Sequence, residues 1–317
     1  MAQFTTANAV GEREDLSDII YRLDTTETPF FSTAKKTTVK STLTEWQVQE
    51  LATADQNSVN EGADASFATP TATTRLTNNT QISVKDFQIS GTLEAVDKAG
   101  RDRETAYQKV LKGLELRRDV EKIVTDLNVA KSGSDPRKSA TFVTFITNGD
   151  ASPSDISFGT GDGANSCDLT GTEEALTLAK IDNAMQQAWD DGGNPRMLLC
   201  SSTNKANISD LSQAGTNLVT NQVNTSANTA PSFIGAVSVM MNDFGTLDLT
   251  MSRFMSNNKL HIIDPDHIMI GNLDGRNFIE AELAKTGDSF KHQIIYEWTY
   301  MPTAPKAHAS VIGLNGS

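Results

Sequence analysis

Apolar and polar positions alternate with period two in two early segments, TLTEWQVQEL (Thr42–Leu51) and TQISVKDFQIS (Thr80–Ser90), as in half-buried β-strands. Trp46 and Val48 share a face of the first. Ile82 and Val84 share a face of the second, and Phe87 and Ile89 follow in shifted phase. The two segments are expected to pair as a hairpin with a bulge. Between them, Ala52–Asn79 is rich in Ala, Thr, Asn, Ser and Asp, holds Phe67 and Pro70, and carries too little apolar area to fold by itself. A long hairpin that is unstable alone is expected to be an arm for a neighbour.

Elsewhere the period lengthens to that of a helix. Glu12–Leu23 places Leu16, Ile19, Ile20 and Leu23 on one side of a short amphipathic helix. Thr25–Lys40, with Phe30 and Phe31 after Pro29, has no clear period and is expected to be an extended arm. A rod of about 40 Å is expected from an N-cap at Asp102 to about Asn128, with Tyr107, Val110, Leu111, Leu114, Val120, Val124 and Leu127 as its buried stripe. Thr177 is placed to cap a second helix, with Leu178, Ile181, Ala184, Met185, Ala188 and Trp189 inward and Gly192 as its stop. A strand RMLLC and a short helix near Thr203–Leu211 follow. Ser212–Ser232 is too polar for core, and from Gly235 the pattern turns to a run of strands ending in FKHQIIYEWTY and AHASVIGL. Helices and strands are segregated, so the fold class is α+β.

Composition narrows the functions. With 27 basic against 40 acidic residues the formal charge is −13, which repels phosphate backbones and argues against electrostatic gripping of nucleic acid. Cys167 and Cys200 match no ligand spacing and are expected to be reduced thiols. No stretch reaches the ~18 apolar residues of a membrane span, and no secretory signal pattern opens the chain. Walker A, dinucleotide-binding, HExxH and GxSxG patterns are missing. His261, Asp264, Asp266 and His267 in HIIDPDH offer metal-ligand chemistry, but Asp264-Pro265-Asp266 is the stronger signal of a turn. GTGDGANSCD (Gly159–Asp168) is likewise expected to be a flexible loop rather than a calcium site. No catalytic residue, metal or cofactor is assigned.

In order along the chain, the arm EDLSDIIYRLDTTETPFFS, the hairpin from EWQVQEL to NNTQISVKDFQISGT, the rod VDKAGRDRETAYQKVLKGLELRRDVEKIV, the segment LAKIDNAMQQAWDDGGNPRMLLCSS and the strands ending IIYEWTYMPTAPKAHASVIGL resemble the major capsid proteins of tailed bacteriophages, with the Hong Kong 97 capsid fold. Ala99–Arg101 and the RD-x-E of Arg118–Glu121 resemble one subfamily in particular. The resemblance implies an N-terminal arm (1–41), an extension loop (42–93), a peripheral domain (94–175 and 276–317) containing a spine helix at about 102–128, and an axial domain (176–275) whose polar loop approaches the centre of a hexamer or pentamer. It also implies a virion protein, made in the host bacterial cytoplasm, that self-assembles around double-stranded DNA without sequence-specific binding. Portal, a separate scaffolding protein and a decoration protein are the partners it implies. Trp46, Phe67, Arg101, Arg117, Arg118 and Glu121 are the expected assembly residues, Arg117 and Glu121 as charge pairs along the spine.

Two departures from the prototype matter. Its amino-terminal scaffolding region has no counterpart, so scaffold is expected to be separate or dispensable. Its loop lysine, which bonds covalently to a neighbour's asparagine, is also missing: residues 41–84 hold no lysine, and contacts are expected to be non-covalent. The alternatives are an encapsulin-type compartment and a soluble metal-dependent hydrolase using HIIDPDH or Gly159–Asp168.

Overall fold

A computed structural model describes residues 17, 19–151, 155–214 and 238–316. The elements in chain order are α1 (Pro29–Thr33), β1 (Lys35–Val39), β2 (Leu43–Val48), β3 (Thr74–Asn79), β4 (Gln81–Ser90), α2 (Gly91–Ala95), α3 (Glu104–Thr125), α4 (Phe142–Phe145) and β5 (Gly149–Ala151). They continue with α5 (Leu178–Asp190), β6 (Met197–Cys200), α6 (Ser202–Ala214), β7 (Val239–Asn242), β8 (Gly245–Met251), β9 (Lys259–Ile263), β10 (Ile268–Leu273), β11 (Ile279–Leu283), β12 (Ser289–Pro302) and β13 (Ala309–Ile312).

β12 organises the first sheet. Its full N-terminal length pairs antiparallel with β4, while its other edge takes β11 and then β10, which pairs in turn with β1. The even-numbered side chains of β12 face inward: Ile294, Tyr296, Trp298 and Tyr300 are buried. Leu116, Val120 and Val124 of α3 and Phe30, Phe142 and Phe145 complete that core. The second sheet runs β5-β13-β9-β6-β8-β7. It is covered by Ile181, Ala184, Met185 and Ala188 of α5, which meet Leu198, Leu260, Ile262 and Val311.

Two of the chain's passages between the sheets are short turns, at Pro265–His267 and at Pro305–Ala307. Thr303 N–H donates to the His267 carbonyl at 3.0 Å, and the His267 ring meets Thr303 Oγ1 at 3.1 Å, so the crossings are bonded together. β10 belongs to the first sheet and β13 to the second.

Several expectations are corrected. The partner of β2 is β3, which lies inside the segment read as the polar tip, and β4 pairs with β12 instead. β4 runs in unbroken register with β12 and has no bulge. Its apparent phase shift arises because Phe87 and Ile89 face the core while Ile82 and Val84 face the other way. α3 is shorter than expected, about 33 Å, and starts after Arg103, with no side-chain cap. Leu116 is buried in its stripe while Val110 is exposed, and Trp189 of α5 is exposed where an inward position was expected. Ser17 and residues 19–23 are not helical, and the rest of that expected helix lies outside the described residues. Ser212–Ala214 end α6, and the remainder of the polar stretch lies outside the described residues. Thr177 caps α5, accepting from the Lys180 N–H at 3.4 Å, and Gly192 follows at φ +86°.

Candidate assembly interface

β2 and β3 form a separate two-stranded ribbon that carries the loop 49–73 away from the body. Its root is held firmly. Trp46 lies opposite Leu76 and packs on Phe145 with ring centroids 5.8 Å apart. Asn78, fully buried, donates to the Tyr300 carbonyl at 2.7 Å and accepts from the Ala140 N–H at 2.8 Å. Lys131 Nζ donates to the Thr77 carbonyl and hydroxyl and to the Asp162 carbonyl. Lys306 pairs with Glu50 at 2.8 Å. Beyond that root the only local order is a turn at 60–63, with Gly62 at φ +82°, and Leu51, Val59 and Phe67 are exposed, Phe67 at 95%. Three large apolar side chains, on a loop that otherwise carries Glu50, Asp55, Glu61 and Asp64, have no cover among the described residues.

Trp46 is therefore the apolar anchor of the loop. Trp46→Ala is expected to lower stability by about 2 kcal/mol, below the range for a fully buried tryptophan because the ring is only partly covered. Urea unfolding of the mutant should show the shift, and an unchanged midpoint would place the loop root elsewhere.

The spine residues divide. Arg101 pairs with Glu104 and lies over the Tyr107 ring. Arg117 sits 5.8 Å from the centre of the Phe278 ring. Arg118 makes a two-oxygen contact with Asp24 at 3.0 and 2.8 Å, fastening the arm, and covers Phe254. Glu121 is corrected outright: it is fully buried, and no ion pair on an outer face is open to it. Its two carboxylate oxygens accept the Phe30 and Phe31 N–H groups at 3.0 and 2.7 Å. α1 has Pro29 in its first turn and no side-chain cap from Thr28, so Glu121, some ninety residues away, serves as its cap. Burial pushes its carboxyl up to about 7, opposed by those two bonds and by the Lys36 charge. Burial also holds the Lys36 ammonium down, to about 8. Lys36 Nζ lies 3.6 Å from the centre of the Phe31 ring.

HIIDPDH is structural. His261 bonds Ser310 Oγ and the Thr125 carbonyl, both at 2.8 Å, and burial lowers its ring to about 3. Asp264 accepts from the Asp266 N–H at 3.0 Å, closing the crossing turn, and Asp266 pairs with Lys35 and Arg196. In the Gly159–Asp168 loop, Asp162 accepts from Thr160 and from the Ala164 N–H, and Asp168 from Thr170. Among the described residues no group of three or more His, Cys, Asp or Glu is placed to hold a metal ion, and no helix is long and apolar enough to cross a membrane. Both cysteines are buried and free.

The loop thus leaves a firmly held root with Leu51, Val59 and Phe67 exposed. The sequence profile of the SU10 major capsid proteins matches residues 2–315. The chain belongs to the SU10 major capsid protein family. The curated major capsid protein of Escherichia phage Phieco32 is 34% identical over 122 residues, 38% of this chain and 35% of that protein, so the match spans about a third of that relative. Among solved structures, the cyanophage A-1(L) capsid asymmetric unit superposes with a TM-score of 0.65 at 12% identity, covering 98% of each chain. Microbacterium phage Oxtober96 superposes with 0.60 at 15% identity, covering 99% of each. These likenesses establish the fold as the phage capsid type expected from the sequence.

Asn78, Lys131 and the apolar loop residues Leu51 and Val59 were not singled out from sequence. Leu51 and Val59 had a readable signal, since isolated large apolar residues in a polar loop stand out. Asn78 had none.

Proposed function

We propose that this protein is the structural subunit of an icosahedral phage head, assembling with copies of itself into hexamers and pentamers around double-stranded DNA and performing no catalysis. The observation that carries this is the loop 49–73, held at its root and bare along its length: buried anchors fix its direction and nothing among the described residues covers it. In this reading the extension loop is 43–79. The peripheral domain is the first sheet with the spine helix, residues 29–42, 80–145 and 268–302, and the axial domain is the second sheet, residues 149–263 with 305–316. The charge of −13 lets packaged DNA slide past the wall. Portal, a separate scaffolding protein and a decoration protein complete the head. Electron microscopy of the purified protein under assembly conditions tests the reading, and rings and closed shells are expected. Persistent monomers at all concentrations would refute it.

The shell is held without covalent links. Loop residues 41–84 offer no lysine, and Lys85, the next amine, is engaged by Asp119 of the spine at 2.7 Å. Arg75 stays protonated and is a poor nucleophile. Particles boiled in denaturing detergent should run as one band at the subunit mass of 34.2 kDa. A reductant-resistant ladder would overturn this.

A further inference from the structure

Three of the four histidines in the chain, His261, His267 and His308, sit where the two sheets meet, and His261 and His308 are fully buried there. Phe142, from the first core, meets both of these rings, at centroid distances of 4.6 Å from His261 and 5.5 Å from His308. The two rings differ in what an added proton would meet. His261 bonds the Ser310 hydroxyl and the Thr125 carbonyl, both at 2.8 Å. A hydroxyl turns and accepts as readily as it donates, so a second proton on that ring still finds an oxygen. His308 has no such freedom. Its Nδ1 accepts the Asp264 backbone N–H at 3.1 Å, and a peptide N–H only donates. A proton on that nitrogen sets donor against donor in a buried contact.

The contact lies at the joint of both crossings. Asp264 immediately precedes Pro265–His267, the His267 carbonyl takes the Thr303 N–H, and His308 follows directly on Pro305–Ala307. Losing the Asp264 bond therefore loosens both turns at once. Burial lowers the His308 ring to about 4; the His267 backbone and the Asp264 carboxylate favour its proton, and the His267 ring opposes it. That carboxylate accepts the Asp266 and Asn194 N–H groups at 3.0 and 3.3 Å and lies 3.9 Å from the His267 ring. Lys306 is paired with Glu50, Asp266 is held by Lys35 and Arg196, and α4 contributes only the uncharged Phe142. His261 is lowered further, to about 3, so His308 takes its proton first.

We infer that His308 is an acid-released lock on the joint between the two sheets: taking up a second proton, it breaks the Asp264 contact and frees both crossings while each core stays folded. The lock belongs to the single subunit and does not depend on how subunits assemble. An opened joint returns the ring to its ordinary 6.5. The closed joint therefore loses stability as pH falls below about 6.5, and the loss levels off below about 4. Between pH 7 and pH 4 the open fraction rises about a hundredfold.

Hydrogen exchange followed by mass spectrometry on the full-length protein, labelled from pH 7 to pH 4 and divided by the intrinsic amide rates, reads the joint directly. Peptides covering 264–268 and 303–308 are expected to open about a hundredfold more at pH 4, while 116–124 of α3 and 294–300 of β12 keep their protection. In His308→Asn the side-chain oxygen replaces the Nδ1 acceptor and does not titrate, so the same peptides should hold steady within about threefold. A joint that stays closed in the wild type, core peptides that open in parallel with it, or the wild-type response persisting in the variant would each overturn the inference. If the variant fails to fold, nitrogen-15 spectra of histidine-labelled wild type decide. One buried ring should protonate in step with the exchange, and opening with no ring titrating alongside it overturns the lock.

Discussion

Glu121→Gln is expected to destabilise the subunit by about 1–3 kcal/mol at pH 8, where the carboxyl is ionised, the scale for leaving a buried N–H donor without its acceptor. The carboxylate meets two N–H donors, one on each oxygen. A carboxamide presents an oxygen to one and an NH2 to the other, so a donor faces a donor in a site without water access. Lys36, whose ammonium the same negative charge favours, loses that support as well. The uncapped α1 carries Phe30 and Phe31 into the aromatic core against Phe142, Tyr300 and Tyr296, so the damage reaches the centre of the first sheet. Chemical unfolding of the two proteins checks the size of the loss, and equal midpoints would show that the clamp does not hold the arm root.

The same residue sets a pH dependence. Its carboxyl is raised to about 7 from the ordinary 4.5, so between those values the folded chain binds a proton that the unfolded chain has released. Stability from this group is then fully present below about 4.5 and lost as pH rises through about 7, a change on the order of 3 kcal/mol. Wild type should therefore melt at higher temperature near pH 5.5 than near pH 7.5, relative to Glu121→Gln measured alongside. Parallel pH profiles for the two proteins would refute the assignment.

Deleting Ala52–Ala72 and joining the ends with a short turn is expected to leave a folded subunit that builds no closed shells, a loss of at least a hundredfold in particle yield. The cut must stop short of Thr74, because β3 and the Thr77 and Asn78 anchors belong to the body. A deletion running to Thr77 would remove β3 from Thr74 to Thr77 and expose Trp46 and Phe145, confusing misfolding with failed assembly. Circular dichroism and sedimentation together separate the outcomes, and normal shells from the shorter chain would remove the loop from assembly.

What was legible beforehand, and what was not, follows from how each element is stabilised. α3, α5 and the C-terminal strands carry strong periodic apolar stripes, and their positions could be read directly. β3 could not, since TRLTNN holds a single large apolar residue, Leu76, and is fixed by pairing with β2 and by hydrogen bonds to Asn78 and Thr77. β4 misled for the opposite reason. It is apolar on both faces, with Phe87 and Ile89 toward its own core and Ile82 and Val84 on the opposite, exposed face, which imitates a change of phase. Glu121 stands among Arg118, Asp119 and Lys122 at spacings typical of a wet helix face, and its burial becomes visible only once α1 is folded against it. The capsid family was readable because order along the chain survives where single residues do not identify a site.

The central strand of the first sheet comes near the end of the chain. β4 is made early, yet Gln88 bonds to Ser289, 201 residues later, and Trp298 reaches back 215 residues to Ser83. During synthesis the spine helix and β4 emerge with no surface to close on, and the first core forms only after β12 leaves the ribosome. Folding dominated by such distant contacts is slow, and its open intermediates expose strand edges that invite aggregation. Until β12 docks, therefore, the chain has no first sheet to present.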